Sequence, residues 1–173
     1  VLQGLAEQSD AGFEVVVADD GSGPATAEVV QRWRTTFADR LRHVWQPDEG
    51  FRCATVQNLA TASSTGSYLV FVDGDCIPRR HFVRAIRRAA LPGWFLAGKR
   101  VQLSPELSHT LTHDPTRRPS LTMPGLLRHR RELGPWVHFT PRDRRRPWRS
   151  HVPDFWPHGN EYGFLIGVSR SDL

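Results

Sequence analysis

Cysteine is scarce in this 173-residue sequence, with Cys53 and Cys76 the only two. Two cysteines at that distance make neither a zinc motif nor a disulfide framework, so a reducing compartment is the default and each reads as a small buried hydrophobe. Long apolar runs are missing too. No stretch approaches the roughly 20 residues that span a bilayer, and the start lacks a signal-peptide pattern. There is no initiator Met and no internal repeat. The chain opens on Val1-Leu2-Gln3 and closes on Ser171-Asp172-Leu173 after an apolar run, so both ends read as cut. The missing targeting segments therefore exclude little.

What is present is ordinary for one globular domain: 39% hydrophobic and 24% charged residues, in a chain long enough to bury a core. The net charge of +5 is uneven. From Pro105 to Ser150, ten arginines face four acids (Glu106, Asp114, Glu132, Asp143), a local +6 that leaves −1 for the remainder. A basic segment on a near-neutral domain suggests anionic partners.

Periodicity places the elements. Val1 to Gln8 reads as the end of a helix. Phe13 to Ala18 is a β-branched run, the mark of a buried parallel strand, stopping at the turn and cap cluster Asp19-Asp20-Gly21-Ser22-Gly23-Pro24. Val29, Val30, Trp33 and Phe37 share a helical face. His43-Val44-Trp45 is a short strand ended by Pro47, Ala54 to Ser63 a helix, and Ser67 to Val72 the clearest strand. Phe82, Val83 and Ile86 mark an amphipathic helix, and Trp94 to Gly98 another strand. From Pro105 to Ser150 the pattern fades into a long irregular stretch, of the kind that is usually a functional loop. Gly163 to Val168 reads as a returning strand. Strands alternating with helices predict an α/β fold with a mostly parallel sheet, in which ligands sit beyond the carboxyl ends of strands.

Two acidic clusters occupy such ends. Asp73-Gly74-Asp75 follows the apolar run Leu69 to Val72. Two carboxylates one residue apart can share Mg²⁺ or Mn²⁺ with phosphate oxygens, with Gly74 allowing a tight backbone path; an ordinary solvated turn is the alternative. Asp19-Asp20-Gly21-Ser22 is either a strand-to-helix turn or a place where Asp20 accepts hydrogen bonds from a nucleobase or ribose.

Four segments in order carry a resemblance. Glu14 to Ser22 resembles the first nucleotide-binding motif of family 2 glycosyltransferases. Gly50 to Leu59 resembles the segment that follows it in bacterial chondroitin-polymerase-like and galactosyltransferase-like members. Gly66 to Pro78 is similar to the family's strand plus Asp-x-Asp signature. Gly159 to Leu173 is similar to the strand before its acceptor-side motif. The resemblance implies a GT-A, Rossmann-like sheet flanked by helices, in three parts: a nucleotide-sugar-binding half over 1–104, a basic insert over 105–150 and the start of an acceptor-side half over 151–173.

It also implies roles. Asp19 and Asp20 belong to the donor site, with Asp20 on the uracil or ribose. Asp73 meets ribose and metal, and Asp75 is the direct ligand of Mn²⁺ or Mg²⁺. Asn58 occupies the second position of the family's Arg-Asn pair. Gln57 replaces that Arg, so its charged contact is lost or comes from Arg52, which otherwise reads as a surface residue. His158 is a third metal ligand or a structural histidine, and Trp156 a sugar platform or plain packing. The family's opening strand is expected before residue 1, and its general base in a Glu-Asp segment after residue 173 rather than at Asp154 or Glu161.

The function implied is inverting, metal-assisted transfer of a sugar from a nucleotide donor, UDP by preference, to a saccharide or lipid-linked acceptor hydroxyl. The place expected is the cytoplasm or the inner face of its membrane. The arginine-rich Arg142 to Arg149 suits nucleic acid by charge, or is a solvated loop. Within the resemblance, 117–149 lies near the acceptor side and suits an anionic membrane better. Two alternatives stand beside this reading. Leu69 to Asp75 also fits the nucleophile motif of haloacid-dehalogenase-type phosphatases, although Cys76-Ile77 replaces their Gly-Thr. A non-catalytic nucleotide-sugar-binding module is the other.

Overall fold

The computed structural model describes residues 1–91, 93–98, 105–113, 140–143 and 165–172. Val15–Asp20 forms β1 and Leu41–Gln46 forms β2, paired in parallel with Val15 opposite Leu41 and Asp20 opposite Gln46. A parallel pair needs a crossover connection. Here it is α2, Pro24–Phe37, which starts with a proline where a missing N–H costs nothing. It buries Val30 and Phe37, half-buries Trp33 and leaves Val29 40% exposed, so the predicted apolar face is narrower than its four residues. A 3₁₀ turn, Ala38–Arg40, leads into β2.

The core around this unit is Val30, Phe37 and Leu41. Packed on it are Leu2 and Leu5 from α1 (Leu2–Ala6), Phe13, Val15 and Val17 from the first strand region, and Trp33. The Arg40 guanidinium lies 6.0 Å from the Phe13 ring and 5.9 Å from the Phe37 ring, covering the edge of the core with its charge in water. On the opposite face, α3 (Cys53–Ser63) packs over β1 and β2 and buries Val56 and Ala60.

β3 (Tyr68–Phe71), β4 (Trp94–Gly98), β5 (Thr140–Asp143) and β6 (Leu165–Ser169) form a second sheet in the order β3-β6-β4-β5, with every pair antiparallel. α4 is Phe82–Ala89 and α5 is Pro105–His113, and a final 3₁₀ turn covers Arg170–Asp172. The α/β alternation expected from periodicity holds, and parallel pairing among the described residues is that of β1 with β2. The returning strand is β6, which comes from far along the chain and inserts between β3 and β4. α5 and β5 lie in the stretch expected to be irregular. α5 carries only Leu107 and Leu111 as spaced apolar residues, too few to show a period, and β5 is Thr-Pro-Arg-Asp, of which only Thr favours a strand.

Charged side chains tie the two sheets together near the end of α3. Oε1 of Glu14 accepts from the Thr65 N–H, the Thr65 hydroxyl and the Gly66 N–H. Its Oε2 is 3.1 Å from Arg42 Nη2, an ion pair without hydrogen-bond alignment. Arg42 also donates to the Ser63 carbonyl. Arg170 donates through Nε to Gly66 O at 3.0 Å and through Nη2 to Thr61 O at 3.0 Å and Ser64 O at 2.7 Å. The last carbonyls of a helix have no partner within it, and here two arginines supply one. Residues 61–67 are thereby held from both sides, which fixes where β3 begins.

Burial opposes ionisation of Glu14, but the bonds from Thr65 and Gly66 and the Arg42 charge outweigh it, so its carboxyl titrates below the usual 4.5. A depressed pKa means stability that is complete above 4.5 and lost as pH falls through the lower folded value. Glu14→Gln is therefore expected to cost about 1.5–3 kcal/mol at neutral pH. Urea unfolding should show its gap from the wild type closing below pH 4.5; a gap independent of pH would point to another cause.

Candidate functional site

Successive residues of a strand point to opposite faces. Val15, Val17 and Asp19 of β1 therefore share a face with Leu41, His43 and Trp45 of β2, towards the α2 core. Glu14, Val16, Ala18 and Asp20 share the other with Arg42, Val44 and Gln46, towards α3. Both aspartates lie inside β1 rather than after it, because the ladder continues to Trp45 and Gln46 and pairing overrides the poor strand propensity of Asp. The adjacent acids consequently have different surroundings.

Asp19 is 5% exposed. Its Oδ1 accepts the Ser22 N–H at 2.8 Å and its Oδ2 lies 2.8 Å from His43 Nε2. Burial raises its pKa, but the Ser22 bonds and the His43 contact lower it further, leaving the carboxyl below 3.8. Trp45 Nε1 donates to Ser22 O at 3.0 Å, so the turn after β1 is held from β2. Gly21 in that turn has φ +92°, and a Cβ there would stand 2.5 Å from the Asp48 backbone. Asp19 thus builds the turn.

Asp20 faces the other way. Its Oδ1 accepts from the buried Gln46 amide, which also donates to Arg52 O at 3.2 Å, and its Oδ2 accepts the Arg52 N–H at 2.8 Å. A carboxylate offers about four acceptor directions, so these two bonds orient Asp20 and leave capacity for a ligand. The Arg52 guanidinium turns back to Glu49 at 2.8 Å and to Pro47 O at 3.0 Å. Phe51, beside it, is 95% exposed.

The second cluster stands just past β3. Asp73 O accepts the Cys76 N–H at 3.0 Å, closing a turn in which ligand atoms of Asp73, Asp75 and Cys76 all lie within 4.8 Å of one another. Gly74 is not the reason the turn forms. It lacks a positive φ, and a Cβ on it would meet nothing within 4 Å. The two carboxylates match Mg²⁺ or Mn²⁺, whose preferred ligands are oxygens; the Cys76 sulfur does not, and lies 3.5 Å from Asp75 Oδ1. Both cysteines are half-buried rather than buried. Cys53 accepts from the Gln57 amide at 3.3 Å, so Gln57 is engaged within α3, while Asn58 is exposed.

His158, Trp156, Asp154 and Glu161 lie outside the described residues, as does 117–149 apart from β5. No helix among the described residues is long and apolar enough to cross a membrane. Gln46 and His43 were not foreseen. Their signal was position alone: both lie on β2 at the parity of the aspartate they meet, which becomes visible only with the register in hand.

The sequence model of glycosyl transferase family 2 matches residues 1–158, and the chain belongs to that family, with the α/β GT-A fold it implies. This membership sets aside the phosphatase alternative. The chain is 36% identical over 89 residues to the validoxylamine A glucosyltransferase of Streptomyces hygroscopicus subsp. jinggangensis, covering 49% of this chain and 20% of that protein. It is 30% identical over 93 residues to the glycosyltransferase AglE of Haloferax volcanii, 53% of this chain and 30% of that one. It is also 30% identical over 73 residues to the chondroitin synthase of Escherichia coli, 42% of this chain and 10% of that one. The aligned regions thus span less than a third of each of these relatives.

The two glycines make a paired test. Gly21→Ala is expected to lose at least about 2 kcal/mol, through strain and the Asp48 clash. Gly74→Ala should stay within about 0.5 kcal/mol of the wild type. Chemical denaturation of both variants checks this; equal losses would mean that the Asp73 turn also depends on glycine.

Proposed function

We propose that this chain binds a nucleotide-sugar donor, with UDP as the nucleotide, and serves metal-assisted, inverting transfer of the sugar to a hydroxyl of a saccharide or lipid-linked acceptor. The observation that carries the reading is the Asp73–Cys76 turn, which sets two carboxylates side by side directly after a sheet strand. Membership of glycosyl transferase family 2 supports the reaction class.

On this reading Asp73 and Asp75 hold Mn²⁺ or Mg²⁺ through oxygen. Such an ion supplies charge neutralisation for a departing diphosphate. Asp20, oriented by Gln46 and the Arg52 N–H, accepts from the uracil or a ribose hydroxyl. Asp19 contributes by holding the turn that ends β1, and exposed Phe51 offers an apolar face next to Arg52. With its guanidinium on Glu49, Arg52 serves the donor site by orienting Asp20 through its backbone N–H; Asn58 is left at the exposed α3 surface to meet the diphosphate side. The acceptor hydroxyl, its proton passing to a general base, attacks the anomeric carbon on the face opposite the nucleotide as the bond to the departing diphosphate breaks, which inverts the configuration. The parts are a donor half over 1–104, a basic insert over 105–150 and acceptor-side residues over 151–173, with His158 as a further metal ligand.

UDP titrated calorimetrically into the protein should bind tighter with Mn²⁺ than with EDTA, and Asp75→Ala should remove most of that difference. Equal affinity in both conditions overturns the metal role. Asp20→Ala should weaken UDP about tenfold or more, the scale of one charge-assisted hydrogen bond, while Mn²⁺ binding stays intact. Unchanged UDP affinity in a folded Asp20→Ala protein would leave Asp20 a purely structural residue.

A further inference from the structure

We propose that the solvent face of α4 is a docking surface for an anionic lipid bilayer. The proposal is independent of the donor reading. Between Cys76 and Leu91 the chain has Arg79, Arg80, Arg84, Arg87 and Arg88 and no acid. α4 buries Ile86 and half-buries Phe82 and Val83, which leaves all five arginines and His81 exposed.

Neutralisation of this face is slight. Arg87 is paired, its Nε 2.9 Å from Asp10 Oδ2 and its Nη2 donating to Gly12 O at 2.6 Å. His81 Nδ1 lies 2.8 Å from Ser9 Oγ. The guanidinium groups of Arg79, Arg80, Arg84 and Arg88 have no hydrogen-bond or ion-pair partner among the described residues. Arg84 and Arg88 stand one helical turn apart and, with His81 and Ala85, line an open hollow of about 310 Å³. Four unpaired like charges on α4 and the segment just before it repel one another, and a surface of phosphate headgroups relieves that repulsion.

Two features favour a bilayer over a nucleic acid. Leu91, just past the helix, is 52% exposed, an apolar residue at the rim of a basic face. α4 exposes no phenyl or indole ring on which a base would stack, since Phe82 is half-buried. The location is also apt. Arg79 follows Asp75 by four residues, a chain reach of at most about 14 Å. A bilayer on α4 would therefore bring lipid-borne groups close to the acidic turn.

The test is sedimentation of the full chain with vesicles. Binding to phosphatidylglycerol–phosphatidylcholine vesicles is expected at about 0.1 M salt and should vanish near 1 M, where the screening length falls to about 3 Å. Each arginine contributes about fivefold to such binding, so Arg84→Glu with Arg88→Glu should weaken it at least tenfold. Both side chains are exposed, so the melting temperature should stay that of the wild type. A second variant, Arg144, Arg145 and Arg146→Ser, controls for the other basic stretch and should keep most of the α4-dependent binding. Unchanged binding by the Arg84/Arg88 variant overturns the proposal. So does equal binding to pure phosphatidylcholine, loss confined to the 144–146 variant, or retention of RNA without retention of vesicles.

Discussion

The parallel register of β1 with β2 is the constraint on which the rest of the donor-side structure depends. It sets Asp20 opposite Gln46 and Asp19 opposite Trp45, and the pleat then sends each pair to its own face. A slip of one residue would exchange those faces, burying Asp20 in the α2 core and turning Asp19 towards α3. The apolar pattern forbids that slip, because Val15 and Val17 would leave the core with it. Hydrophobic burial therefore specifies the orientation of two carboxylates that make no apolar contact of their own.

Charge is distributed by the same logic. Buried acids are answered by fixed donors: Asp19 by Ser22 and His43, and Glu14 by Thr65, Gly66 and Arg42. These groups repay the desolvation of the carboxylates and tie strand, turn and helix end together. The acids of the Asp73 turn sit differently, close together at a partly open place. The basic helix α4 begins a few residues later. An acidic cluster and a cationic surface are thus near neighbours along the chain.

Much of the element plan was legible beforehand. The β-branched run before Asp19, the apolar run before Asp73, and the helical spacing of Val30, Trp33 and Phe37 each follow from burial of one face, which leaves a period in the sequence. The family was legible for a related reason: its motifs are local, and each pairs a strand with the residues at its end. Other features left no local trace. The boundary of β1 was misplaced because Asp disfavours strands in isolation, and only pairing with Trp45 and Gln46 extends it. The tight path that Gly74 allows does not require a glycine, because the turn closes at ordinary backbone angles. Conversely, the demand at Gly21 comes from Asp48, 27 residues away.

Composition and periodicity by themselves thus determined the α/β alternation and the two acidic clusters at strand ends. These are properties of neighbours in the chain, and burial or ligand chemistry imprints them locally. Tertiary structure alone decided that adjacent Asp19 and Asp20 do different work and that Gln46 orients one of them. It also decided that Arg42 and Arg170 close the end of α3, and that Arg84 and Arg88 of α4, with Arg79 and Arg80 before it, are left without an acid. Those outcomes depend on strand register and on contacts between residues far apart in sequence. Many registers satisfy the same hydrophobic pattern until the packed core selects one.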